Sequence, residues 1–127
     1  MAKHTVIWID HKEARIFRLN SDATTESTVH APYFVHKHPG GSDRVKEHPD
    51  DTRRFFQALA NSLTDAEGIV IVGPSSAKLE FLRYVHMHAH GLEPKIVGIE
   101  TMDHPTDGQI VAYAKQYFNL GGRLPAP

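Results

Sequence analysis

Two short apolar runs constrain the fold more than any other feature of the sequence. Residues 4–9 read HTVIWI and residues 68–73 read GIVIVG, so both are nearly free of charged side chains and rich in β-branched ones. Continuous runs of this length are typical of strands that are covered on both faces, as in the centre of a parallel sheet. A sheet with two such strands needs helices to cover it, so the runs indicate an α/β protein.

The rest of the chain supplies three further predicted strands and three predicted helices. Residues 14–19, 24–34 and 95–100 predict the strands, and the polar break at 10–13 predicts a hairpin between the first two strands of the chain. A Thr106-to-Gln109 capping box predicts the start of the third helix, and Asp50 or Asp51 is a predicted cap for the first. The predicted inner faces of the helices are Phe55, Phe56, Leu59, Ala60 and Leu63; Phe81, Leu82, Val85 and Ala89; and Ile110, Val111, Ala114 and Phe118.

The order of elements, βββ-α-β-α-β-α, predicts one mixed sheet. A three-strand meander followed by two right-handed crossovers gives the strand order 3-2-1-4-5, with strand 2 antiparallel to the rest. This is a ribonuclease H-like plan with five strands and three helices. We expect a single domain over residues 1–120 with a mobile loop at 36–49, and a C-terminal tail at 121–127.

Composition narrows the functional classes. The 127 residues include no cysteine, which excludes disulfides, thiolate zinc sites, iron–sulfur clusters and a cysteine nucleophile. The formal net charge is −1 and the isoelectric point is about 6.8, so any RNA contact must come from a local basic patch. No stretch approaches the ~18 apolar residues that span a bilayer, and no signal-peptide pattern is present. We expect a soluble cytoplasmic protein that makes no membrane contact and needs no cofactor.

The predicted topology gathers the polar loops at one edge of the sheet. If strands 1, 3, 4 and 5 run the same way, the segments 10–11, 36–49, 73–78 and 102–107 follow their carboxyl ends and converge there. Open α/β sheets bind ligands at this edge. Two of the segments also begin helices, whose free N–H groups and positive dipole ends favour an anion.

Residues 73–78, GPSSAK, superficially resemble a phosphate-binding loop. They lack the second glycine and the Gly-Lys-Ser/Thr ending of a nucleotide-binding motif. Ser75 or Ser76 is therefore predicted to cap the second helix. The alternative is a phosphate or RNA-backbone contact made by Lys78 and the end of the helix.

Several acidic and histidine residues invite a catalytic interpretation. Asp10, Glu100 and Asp103 could be metal-binding carboxylates of a nuclease, but two-metal chemistry needs three or four close carboxylates and no fourth is evident. Asp103 and His104 could form an acid–base pair with His11, although turn residues of this kind are more often local hydrogen-bond partners.

Ten histidines are unusual in a chain of this length. Neutral imidazole is a good metal ligand, so His36, His38 and His48 could bind a transition metal, but a solvated loop is the favoured interpretation. On the second helix His86 and His90 share a face and could chelate a metal ion, but a polar helix face is again the favoured interpretation. Within 36–49 three cations and two acids leave a net charge of +1, enough for a few phosphate contacts.

Three segments of the sequence resemble a known family. Residues 6–17 (VIWIDHKEARIF), 71–81 (IVGPSSAKLEF) and 100–109 (ETMDHPTDGQ) are similar to small bacterial "translational machinery proteins". These are related to the central domain of the archaeal and eukaryotic peptide chain release factor and of Pelota. The resemblance covers about residues 4–118 and implies the same order of elements, with the functional loop between strand 3 and helix 1.

The resemblance also implies a role for that loop. In release factors it carries Gly-Gly-Gln and helps position the water that hydrolyses peptidyl-tRNA. Here Gly40 and Gly41 match, but Ser42 stands in place of the glutamine. Pelota's central domain likewise lacks the glutamine and acts in ribosome rescue without hydrolysis.

We therefore expect a translation-associated module that binds the ribosome or tRNA and has no catalytic activity of its own. One alternative is a peptidyl-tRNA hydrolase-like activity centred on the 40–42 loop, and a second is a metal- or pH-responsive module that uses the histidines. The predicted RNA-binding residues are Lys37, Gly40, Gly41, Ser42, Arg44, Lys46, Arg53, Arg54 and Lys78.

Overall fold

The computed structural model describes residues 4–20, 23–31 and 49–118. These residues form five strands and three α-helices in the predicted order. The strands are β1 (His4–Ile9), β2 (Glu13–Leu19), β3 (Thr24–His30), β4 (Gly68–Gly73) and β5 (Ile96–Thr101). The α-helices are α1 (Pro49–Asn61), α2 (Ala77–His88) and α3 (Asp107–Tyr117), and a single 3₁₀ turn at Glu93–Lys95 precedes β5.

The strands form one mixed sheet in the order β3-β2-β1-β4-β5. β1 pairs antiparallel with β2, which places Trp8 opposite Arg15, and it pairs parallel with β4. β3 is antiparallel to β2, and β5 is parallel to β4. The predicted strand order and the direction of each strand are therefore confirmed, including the antiparallel β2 of the ribonuclease H-like plan.

Helices cover both faces of the central strands. Successive side chains of a strand point to opposite faces, so Ile7 and Ile9 pack beneath α1 and α2, whereas Val6 and Trp8 pack beneath α3. Every residue of β4 is buried, as the continuous apolar run predicts. The predicted inner residues of the helices are buried or half-buried.

Several element ends differ from the sequence predictions. α1 begins at Pro49, so Asp50 and Asp51 lie inside its first turn and do not cap it. Proline suits this place because its missing N–H has no partner in the first turn anyway. β3 ends at His30, and residues 32–34 of the predicted strand lie outside the described residues. Residues 32–48 and 119–127 lie outside the described residues, so the loop at 36–49 and the tail at 121–127 remain predictions.

No helix in the described ranges is long and apolar enough to cross a membrane.

Candidate functional site

Four strands end at the same edge of the sheet, which we call the carboxyl rim. It comprises residues 10–12 after β1, Ala31 after β3, 74–76 after β4 and 102–106 after β5. The rim follows from the parallel pairing of β1 with β4 and of β4 with β5, and from the two antiparallel pairs that turn β3 in the same direction. Three of the four predicted segments, 10–11, 73–78 and 102–107, therefore meet at this edge, and the fourth lies outside the described residues up to residue 48.

The described residues that flank 32–48 are Ala31, at the carboxyl rim, and Pro49, the first residue of α1. α1 leads to β4, whose first residue, Gly68, lies beside His4 at the opposite edge of the sheet. The 13 residues of α1 span about 20 Å, close to the length of a six-residue strand. α1 therefore runs back across the sheet, and its first turns are at the rim.

The turn after β1 is held by the Asp10 carboxylate. Its Oδ1 accepts hydrogen bonds from the backbone N–H groups of Lys12 and Glu13, at 2.8 and 2.9 Å. The backbone of this turn also joins the neighbouring strand, because the N–H of Ala31 donates to the carbonyl of Lys12 at 2.8 Å. Asp10 is thus part of a turn rather than of a carboxylate cluster. Among the described residues no three His, Asp or Glu side chains stand close enough to hold a metal ion.

The amino end of α2 is occupied by one of its own carboxylates. Glu80 Oε2 accepts a hydrogen bond from Ser76 Oγ at 3.0 Å and lies 3.3 Å from His11 Nε2. Ser76 is the N-cap residue, as predicted, but its hydroxyl makes no capping bond. Its backbone is helical, with φ −76° and ψ −9°, whereas a capping side chain needs an extended backbone at this position. The prediction of a serine side-chain cap is therefore wrong.

The amino end of α3 is occupied in the same way. Thr106 and Gln109 form the predicted capping box, with bonds of 3.1 and 2.9 Å between side chain and backbone in the two directions. The next residue, Asp107, is paired with the guanidinium of Arg15 on β2. In the loop before the helix, the side chains of Asp103 and His104 are both highly exposed, and Asp103 Oδ1 lies 3.1 Å from His104 Nδ1. A negative side chain therefore stands at each of these two helix ends, where the sequence predicts room for an external anion.

Arg15 is the central cation of the α3 side of the rim. Its guanidinium lies 4.5 Å above the Trp8 ring, and its Nε is 3.7 Å from the carboxylate of Glu13. Burial, followed by the nearby Asp107 charge, raises the pKa of Glu26 above its ordinary value. Sequence reasoning missed this cluster, although the register of the hairpin, which puts Arg15 opposite Trp8, could have indicated the stacked pair.

The described residues include three of the predicted RNA-binding side chains. Arg53 and Arg54 are exposed near the start of α1, on the rim side. Lys78 is only 7% exposed, and its ammonium donates to the carbonyl of Ser75 at 2.7 Å, so it fastens the start of α2. The other six lie outside the described residues: Lys37, Gly40, Gly41, Ser42, Arg44 and Lys46.

The fold is similar to that of several translation factors of known structure. The Pelota protein of Thermoplasma acidophilum matches 91% of this chain with a TM-score of 0.60 and 22% identity. Archaeoglobus fulgidus Pelota matches 90% with a TM-score of 0.63 and 14% identity. The archaeal translation termination factor aRF1 matches 88% with a TM-score of 0.59 and 16% identity.

The chain spans about a third of the length of these proteins: 32%, 31% and 33%. At these identities the similarity is one of fold. No protein-family model matches the sequence, and no curated protein matches it significantly. The predicted kinship with a small bacterial family stays a prediction.

Proposed function

We propose that this chain is a translation-associated module that contacts the ribosome or tRNA through the carboxyl rim and performs no catalysis of its own. The observation that supports the proposal is the position of the two described residues that flank 32–48 in the sequence. These two residues, Ala31 and Pro49, belong to elements that meet at the rim of a fold similar to that of Pelota and aRF1. The proposal places the protein in the cytoplasm, where translation takes place.

The charges at the rim indicate which residues would meet the RNA backbone. Because Glu80 and Asp107 stand at the amino ends of α2 and α3, those two helix ends repel a phosphate rather than attract it. The contact is therefore assigned to the exposed Arg53 and Arg54 and to the cations of the 32–48 segment. Lys78 supports the α2 end from beneath, through its bond to Ser75.

Together, the cations of the segment and of α1 would make one modest patch. Lys37, Arg44 and Lys46 exceed the two acids of the 36–49 stretch by one charge, and Asp50 and Asp51 offset Arg53 and Arg54. A patch of this size supports a few phosphate contacts, so the binding should weaken steeply with salt. Glycines 40 and 41 would let the backbone approach RNA closely, since glycine has no Cβ.

Ribosome co-sedimentation of the full chain tests the proposal. We expect the wild type to pellet with ribosomes at low salt. The triple variant Lys37→Ala/Arg44→Ala/Lys46→Ala and the double variant Arg53→Ala/Arg54→Ala should each pellet more weakly than the wild type. The matched control is Arg83→Ala/Lys115→Ala, which removes two exposed cations from α2 and from the last turn of α3. Equal loss in the control, or no pelleting of the wild type, contradicts the proposal.

A peptidyl-tRNA turnover assay tests the absence of catalysis. We expect release of the peptide at the rate of the uncatalysed reaction, because serine at position 42 is shorter than the glutamine that release factors carry. Turnover that falls when Gly40 and Gly41 are replaced by alanine would refute the non-catalytic part of the proposal and favour the hydrolase alternative.

A further inference from the structure

The histidines at the end of α2 form a cluster that is separate from the carboxyl rim. His86 lies in the last turn of α2, and His90 lies in the turn that follows the helix. The two rings are exposed, and their centroids are 6.3 Å apart. Two imidazoles on one ion have ring centres roughly 4.5–5.5 Å apart, because each metal–nitrogen bond is about 2.1 Å. A small rotation of exposed side chains therefore brings both rings to one ion.

The Glu93 carboxylate orients the His86 ring. His86 Nδ1 lies 2.8 Å from Glu93 Oε2. An ionised carboxylate can only accept, so in the neutral imidazole Nδ1 carries the proton and Nε2 has the lone pair. A carboxylate that holds the second nitrogen of a ligating histidine is the usual outer partner of a protein metal site.

The backbone fixes the three side chains relative to one another. The N–H of Glu93 donates to the carbonyl of His90 at 3.2 Å, and the N–H of Leu92 donates to the carbonyl of Ala89 at 2.9 Å. Leu92 is buried, which fastens the turn to the core. The positions of His86, His90 and Glu93 are thus set before any ligand arrives, which favours binding.

We propose that His86 and His90 bind a divalent transition-metal ion such as Zn²⁺ or Ni²⁺ through their imidazole nitrogens, with Glu93 as the outer partner. Two imidazoles match the preference of these ions for nitrogen ligands. Water completes the coordination, since the described residues offer no third protein ligand within reach. The bound ion ties the end of α2 to the 3₁₀ turn that begins at Glu93.

Calorimetric titration of the untagged full chain with Zn²⁺ tests the proposal. To remove competing histidines, the background variant carries His36→Ala, His38→Ala and His48→Ala. We expect one ion per chain, a loss of affinity of at least a hundredfold in His86→Ala and in His90→Ala, and a loss of about 10–100-fold in Glu93→Gln.

The matched control is His88→Ala. His88 lies in the same turn of α2 but faces Tyr84, with ring centroids 5.0 Å apart, so its removal should change the affinity less than twofold. The variants at positions 86, 88, 90 and 93 change exposed side chains, and circular dichroism checks that every variant folds. A wild type that takes up no ion, or variants at positions 86 and 90 that bind as tightly as His88→Ala, would overturn the assignment.

Discussion

Replacing Gly73 with alanine should disrupt the contact that brings β4 beside β1 at the carboxyl rim. A Cβ at this position would stand 2.2 Å from the backbone carbonyl oxygen of Ile9. Carbon and oxygen need more than 3 Å, so the two strands must separate locally by about 1 Å. The Gly73 carbonyl also accepts a hydrogen bond from Met102 N–H at 2.9 Å, and this bond joins the β4 end to the loop after β5.

We expect Gly73→Ala to destabilise the protein by about 2–3 kcal/mol, the upper part of the range of about 1–3 kcal/mol for overpacking in a close-packed interior. With a urea dependence of about 1–3 kcal/mol per molar, the unfolding midpoint should fall by about 0.7–3 M. The matched control is Gly91→Ala, where a Cβ meets nothing within 4 Å and should leave the midpoint unchanged or slightly higher. Equal midpoints for the two variants would refute the close approach of β1 and β4.

Three further predictions concern individual side chains. Thr106→Ala removes a complete capping box and should lower the free energy of unfolding by about 1 kcal/mol in a urea titration, whereas Ser76→Ala, which loses no cap, should change it by a few tenths. Phe81→Ala leaves a cavity beneath α2 and should lower it by about 3–5 kcal/mol; a loss below 1 kcal/mol would contradict the packing of this face. The pKa of Glu26 is higher in the folded protein than its ordinary value of 4.5. The protonated side chain therefore contributes stability below pH 4.5, and this contribution is lost as the pH rises through the pKa of the folded state. Glu26→Gln should therefore be slightly more stable than the wild type at neutral pH and no more stable in acid. Equal curves of stability against pH for the two proteins would refute the raised pKa of Glu26.

The fold was predictable because the residue types in each strand indicate whether that strand is buried or exposed. β4 is apolar along its whole length and lies in the centre, whereas β3 is rich in threonine and lies exposed at an edge. The chain order then leaves few topologies, since crossovers between parallel strands are right-handed. The capping box at Thr106 was also visible, because all of its bonds are local in sequence.

The polar contacts of the rim were harder to predict because they join residues that are distant in the chain. The pairing of Arg15 with Asp107 spans 92 positions, and the approach of His11 to Glu80 spans 69. Neither contact can be predicted before the strand order of the sheet shows which elements are neighbours. The predicted serine side-chain cap of α2 was wrong for a different reason. The sequence gives the residue type at a helix end but not the backbone angles of that residue.

The central claim is that cations at the carboxyl rim contact RNA phosphates, and the salt dependence of binding tests it most directly. Affinity for ribosomes is measured from about 50 to about 200 mM salt for the wild type and for Arg53→Ala/Arg54→Ala. Each phosphate contact contributes about 0.7 to the slope of log affinity against log salt on single-stranded RNA, so the variant's slope should be shallower by about 1.4. Identical slopes, or an affinity that does not respond to salt, would contradict the account.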